Sequence, residues 1–195
     1  MSNLPTPLAT NALIRSRRSV FPAQLSDKTV PDEIVKEILE NATWAPTHRK
    51  TEPWRFFVFS GDSRQELAEA QGEIYKEHTP EDKFDETKYQ KLLKKPLQAS
   101  HIIAICMKRD AKQSVPEWEE VAAVACAVQN IYLSVTAYGL GGYWGSGGIT
   151  SYEETKELFG LGETDRVLGF FYLGYPEKAS PAGVRGAIEE KVTWV

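Results

Sequence analysis

The chain has 195 residues, 42% of them hydrophobic and 26% charged, which suits one soluble domain with a sizeable core and argues against disorder. Its formal net charge is −4 with no basic block, which argues against nucleic acid as the main partner. The opening MSNLPTPLATNA lacks the charged start and apolar centre of a secretory signal, so cytoplasm is the expected compartment; Cys106 and Cys126, both in apolar runs, read as reduced core cysteines.

Along the chain, Thr10 is placed to cap a short helix through Ala12, Leu13 and Ile14 that ends near R-S-R-R-S. Residues 31–43 (PDEIVKEILENAT) predict an amphipathic helix, with Ile34, Ile38, Leu39 and Ala42 on one face and Asp32 and Glu33 in the first turn. Pro46 ends it, and residues 45–53 form a polar loop. Residues 54–60 (WRFFVFS) read as a strand, and 101–107 (HIIAICM) as a second strand, apolar enough to be buried on both faces. Between them, a helix with Leu67, Ala70 and Ile74 on one side leads into the most polar stretch of the chain. That stretch, about residues 73–97, reads as an exposed helical excursion of the kind that serves as a lid.

Residues 114–148 organise the rest. Ser114 and Glu117 form an S-x-x-E capping box, Pro116 sits in the first turn, and Glu117, Glu119 and Glu120 complement the helix dipole. The body of this helix is apolar on every side, which predicts burial. Gln129, Asn130, Ser134 and Thr136 make it too polar for a membrane span. Gly139 stops it as a C′ glycine, and five more glycines follow in nine residues, holding Tyr143, Trp144 and Ser146. Such a loop suits the wall of a ligand site or a tight connection, and the stretch alone does not choose. Thr150 and Glu153 predict another capping box for a helix through Leu158. Residues 167–173 (VLGFFYL) read as a strand, and the tail 192–195 (VTWV) as a short apolar one. Helices and strands interleave irregularly, so residues 1–195 predict a single three-layer α+β domain rather than a doubly wound sheet.

The familiar catalytic patterns are missing: no H-E-x-x-H, no phosphate-binding G-K-[ST], no G-x-G-x-x-G after a strand, no G-x-S-x-G. What remains could hold a ligand. Arg17, Arg18 and Ser19 gather two guanidinium forks and a hydroxyl near a helix end, which matches phosphate and also describes an ordinary solvated helix end. Trp44 and His48 flank Pro46, although a lone tryptophan closing a helix is more commonly core. Tyr143, Trp144, Gly145 and Ser146 offer flat apolar surface beside backbone amides, and Arg185 is the one arginine of the last loop. Together these suit a phosphorylated aromatic cofactor.

Five segments in this order carry a resemblance: I-R-S-R-R-S-V at 14–20, A-P-T-H-R-K-T-E-P-W-R-F-F-V at 45–58, G-L-G-G-Y-W-G-S-G at 139–147, G-F-F-Y-L-G-Y-P at 169–176, and Arg185 followed by E-E-K-V-T-W at 189–194. Over nearly its whole length the chain resembles the nitroreductase family of FMN-dependent oxidoreductases, in particular its short, YdjA-like members. The resemblance implies an α+β fold with a mostly antiparallel or mixed central sheet flanked by helices. It also implies an intertwined homodimer with FMN at the subunit interface and a C-terminal arm, residues 186–195, that pairs with the partner's sheet. Carried over, Arg17, Arg18 and Ser19 hold the phosphate and polar side of FMN, and Arg185 clamps the phosphate. Trp44 and His48 reach the flavin of the other subunit, and Tyr143, Trp144, Gly145 and Ser146 line its ring or ribityl chain. NADH or NADPH is the implied donor and a nitroaromatic or quinone the implied acceptor, in a ping-pong cycle. No metal and no protein nucleophile is implied. Other chemistry on the same flavin, such as dehalogenation or flavin modification, and a non-enzymatic flavin-binding role stay open at this point.

Overall fold

In a computed structural model, which describes residues 5–195, the centre of the sheet is β2, His101–Met107, buried along its whole length. On one side it pairs with β1 (Trp54–Ser60), antiparallel, from Trp54 opposite Met107 to Ser60 opposite His101. On the other it pairs with β4 (Arg166–Gly174), whose outer edge takes β3 (Gly141–Gly145). The order is β1-β2-β4-β3 and every pairing is antiparallel. Alternation along β2 then feeds two cores. Ile103, Ile105 and Met107 meet α2 (Asp32–Thr43) and α5 (Glu117–Ala137), while Ile102, Ala104 and Cys106 meet α3 (Ser63–His78) and α4 (Glu86–Lys94). A buried aliphatic chain such as Ile38 or Ile131 contributes roughly 1.5–3 kcal/mol, so these two layers hold the domain together. His101, expected to be structural, lies 2.9 Å from Asp32 Oδ1 through Nε2 and 2.9 Å from Ser100 Oγ through Nδ1, tying β2 to the start of α2.

Several local expectations are corrected. The first helix, α1 (Pro7–Ser16), is capped by Thr6, not Thr10: Ala9 N–H donates to Thr6 Oγ1 at 3.2 Å. Neither predicted capping box forms. Ser114 turns its hydroxyl to Asp110 Oδ2 at 2.6 Å, and Glu117 pairs with Arg166 at 2.7 Å. Thr150 donates to the Ser146 carbonyl, and the helix after it, α6 (Glu154–Glu157), is a single turn. Short polar side chains take whichever backbone or carboxylate partner lies nearest. Gly139 does end α5, at φ +69, with Leu140 N–H donating to Val135 O at 2.9 Å.

α5 is not buried on every side. Ala123, Val124, Ala127, Val128, Ile131 and Val135 pack inward, whereas Ala122, Ala125, Gln129 and Trp118 (68% exposed) face out. Cys126 is on that outer face, so only Cys106 is a core cysteine; burial, with Asp165 nearby, pushes its thiol up to about 12. By length and composition α5 does pass as a membrane span, its alanines outweighing its polar residues. Its buried Glu120, however, pairs with Arg109 and accepts from Asp110 N–H at 2.9 Å, the packing of a core helix. The polar excursion is fastened as well as exposed: Tyr75 and Leu92 are buried, and Asp85 N–H donates to the Tyr75 hydroxyl at 2.9 Å. The tail 192–195 is not a strand; no sheet edge of its own chain meets it, and Trp194 is 94% exposed.

The end of β3 lies close on β4 because Gly169 sits beside a bulge at φ +138. A Cβ there would stand 2.5 Å from Gly145 O and 2.7 Å from Trp144 Nε1. Gly169→Ala should therefore cost about 3 kcal/mol in urea unfolding, combining backbone strain with overpacking. A loss below about 1 kcal/mol would show that β3 moves aside freely.

Candidate functional site

Past Ser16 the chain leaves α1 in extended form, and Val20 N–H donates to Gly142 O at 2.9 Å, stitching the R-R-S segment to β3. Arg17 lies over the ring of Tyr132 on α5, 5.0 Å from its centroid. Arg18 is committed elsewhere: it donates to Pro181 O at 3.0 Å, Arg15 O at 2.7 Å and Arg17 O at 2.8 Å. It therefore holds the loop that carries Arg185 rather than pointing at a ligand. Arg185 donates only to Val184 O among the described residues. A cleft of about 570 Å3 is lined by Ile14, Arg15, Arg17, Arg18, Gln129, Gly183 and Arg185, without a carboxylate. In a chain of net charge −4, this is a local concentration of positive charge with the geometry to grip an anion.

Tyr132 is the residue that sequence reasoning missed. Its hydroxyl accepts the Trp144 N–H at 2.8 Å and stands 3.5 Å from Ser19 Oγ, while its ring meets Phe171 edge-on at 4.8 Å. One available signal was spacing: Gln129 and Tyr132 are three apart on a helix and so share a face.

The glycine-rich strand divides its aromatics. Trp144 packs with the α5 core, while Tyr143 packs with the α3–α4 core. The expected joint surface of Tyr143 and Trp144 is thus corrected by the period-two alternation of a strand. Tyr143 instead stacks on Phe21, with ring centroids 4.6 Å apart. Trp144 Nε1 is buried without a hydrogen-bond partner. Gly145 ends the strand, and Ser146 is exposed in the loop beyond it.

Trp44 and His48 lie apart from the arginines. Trp44 is the C-cap of α2 and 81% exposed, so it is not a core residue. His48 Nδ1 is 2.6 Å from Glu119 Oε2, in the first turn of α5. Its loop is strained, with Arg49, Lys50 and Glu52 at φ of 53, 55 and 43, the kind of backbone that persists where surroundings hold it in place. Glu119 and Tyr132 are separated along one helix by about 20 Å, at 1.5 Å per residue. Within one chain, then, the structure brings Arg17, Ser19, Tyr132, Trp144 and Arg185 to one side and leaves Trp44 and His48 at the other end of α5.

The Nitroreductase family profile matches residues 14–175. The protein YdjA of Escherichia coli (strain K12), named as an NAD(P)H nitroreductase, is 33% identical over 171 residues, 86% of this chain and 89% of that protein. A nitroreductase-like family protein from Bacillus cereus has a crystal structure similar to this one, with a TM-score of 0.80 and 29% identity over 100% of this chain and 98% of that one. A protein from Desulfovibrio desulfuricans, named as a nitroreductase and crystallised in complex with FMN, gives 0.68 at 25% identity, with 96% of each chain covered. The matched span takes in the R-R-S segment, the Trp44–His48 loop and the G-Y-W-G-S strand, and the folds agree from end to end. The chain belongs to the nitroreductase family.

Proposed function

We propose that this protein is an FMN-dependent oxidoreductase that draws on NADH or NADPH and passes the electrons to a small acceptor, a nitroaromatic or a quinone. The observation that carries the reading is the carboxylate-free cleft between Arg17 and Arg185. The donor set fits FMN: two guanidinium groups for a phosphate, with Ser19 and Gln129 as polar partners close by. When bound, FMN supplies the redox chemistry, taking hydride at N5 and returning electrons to whichever acceptor replaces the nicotinamide. The chain's own residues bind and orient. Arg17 is held in place by the Tyr132 ring, Arg185 is presented by the loop that Arg18 fastens, and Trp144 walls the site from the side of the sheet. The 33% identity with YdjA across most of both chains supports placement among the short, YdjA-like members.

The same reading requires a homodimer with two sites, each built from both chains. Trp44 and His48, about 20 Å along α5 from Tyr132, reach a flavin near Arg17 only if a second copy supplies them. The exposed apolar residues support this: Trp44, Trp118, Val184, Ile188 and Trp194 are each more than half exposed, and the outer face of α5 is largely alanine. Surface of this kind is normally covered. The unpaired tail 192–195 would add to the partner's sheet. A cytoplasmic location is expected with this chemistry, and neither nucleic acid nor membrane is needed as a partner.

Arg17→Ala and Arg185→Ala should each weaken FMN retention tenfold or more, since a charged hydrogen bond is worth about 1.5–3 kcal/mol. Fluorescence titration of the cofactor-stripped protein with FMN measures this directly. Wild-type affinity in both variants would remove the phosphate assignment.

A further inference from the structure

The largest cavity near the proposed flavin site lies on the other side of β3. It measures about 850 Å3 and opens between the turn Pro22–Gln24, α4 and the turn Lys95–Gln98. One wall is the Phe21–Tyr143 ring pair, centroids 4.6 Å apart. Lys95 enters above it. Its Nζ is 4.8 Å from the Tyr143 centroid and 4.4 Å from that of Tyr172, which sits directly opposite Tyr143 on the neighbouring strand. The two rings give this ammonium some cation–π stabilisation, about 0.5–2 kcal/mol. No carboxylate comes within ion-pair distance of it among the described residues. Burial pushes its pKa below the ordinary lysine value, as expected for a cation withdrawn from water without a counter-charge. Lys91 and Lys94 line the same mouth, against one acidic residue, Glu86. The cavity thus offers flat apolar walls and an uncompensated half-buried cation, and lacks only an anion.

Its position links it to the flavin site. Phe21 follows Ser19 by two residues, and Tyr143 alternates with Trp144 on β3. A Cβ on Gly145 would stand 3.3 Å from Lys95 Nζ, so the ammonium lies against the glycine-rich loop itself. We propose that this cavity receives the electron acceptor, and that Lys95 selects planar aromatic acceptors bearing an anionic group, aromatic carboxylates above all, over neutral arenes. The proposal rests on the flavoenzyme reading for the reaction but not for the binding. Reduction of a nitroarene carboxylate to its nitroso acid takes two electrons: one NAD(P)H and one proton are consumed, and NAD(P)+ and one water are released.

The test has two arms. First, calorimetric titration of the FMN-free chain compares benzoate with benzamide, its neutral counterpart. Benzoate should bind at least tenfold more tightly, the preference should vanish in Lys95→Met, and Lys95→Arg should restore much of it. Second, in FMN-loaded protein the ratio of kcat/KM for 4-nitrobenzoate to that for nitrobenzene should fall at least tenfold in Lys95→Met. Equal binding of benzoate and benzamide by the wild-type chain overturns the proposal without any variant having to fold. So does an unchanged kcat/KM ratio in a folded Lys95→Met protein. If FMN does not bind at all, the flavoenzyme reading fails, while the benzoate arm still decides for or against the cavity.

Discussion

The site hangs on one side chain. Tyr132 rises from the core helix with its ring against Phe171 and meets three other parts of the chain: its ring carries Arg17, its hydroxyl takes the Trp144 N–H, and Ser19 Oγ stands 3.5 Å away. The helix, the R-R-S segment and the glycine-rich strand are far apart in sequence, and this residue gives all three one reference point. The buried Trp144 amide would otherwise lack a partner, at a cost of about 1–3 kcal/mol. A guanidinium left without the ring would have more rotamers to search before gripping an anion. Position and preorganisation of the candidate phosphate grip thus come from packing inside the domain, not from the arginines themselves.

Charge follows the same logic. The protein is acidic overall, yet Arg15, Arg17, Arg18 and Arg185 share one cleft with no carboxylate. They divide the work: Arg18 spends its donors on three backbone carbonyls, which fixes the loop, and that loop delivers Arg185. At the far end of α5, His48 is held by Glu119 on a strained turn, and Trp44 projects into solvent. Each half of the arrangement is ordered, and neither is a flavin pocket alone.

Much of this was legible in the residues. Trp54–Ser60 and His101–Met107 form strands with the expected bounds because unbroken aromatic and β-branched runs leave the backbone little alternative. The helix Asp32–Thr43 follows from its apolar spacing and the proline before it. The caps were not legible, because Ser114 and Thr150 chose partners that only the folded loops bring near. Nor was the split of Tyr143 from Trp144, which depends on the glycine-rich segment becoming a strand rather than a loop. Cys126 shows the limit of composition: an alanine-rich apolar helix reads as buried all round, whereas its outer face waits for something outside this chain. The arginine cleft was legible as a set of residues, and its distance from His48 was not, since that distance is set by where two loops land on one helix.

The account's central claim is that each site is assembled from two chains, and complementation in mixed dimers tests it most directly. One chain carries Arg17→Ala with Ser19→Ala, the other Trp44→Ala with His48→Ala, and each alone should be nearly devoid of FMN-dependent NAD(P)H oxidation. Co-refolded, they should regain activity and FMN in proportion to the heterodimer formed, because one of the two sites then has all four native side chains. Heterodimers demonstrated by mass but showing no recovery would mean that each site is built within a single chain.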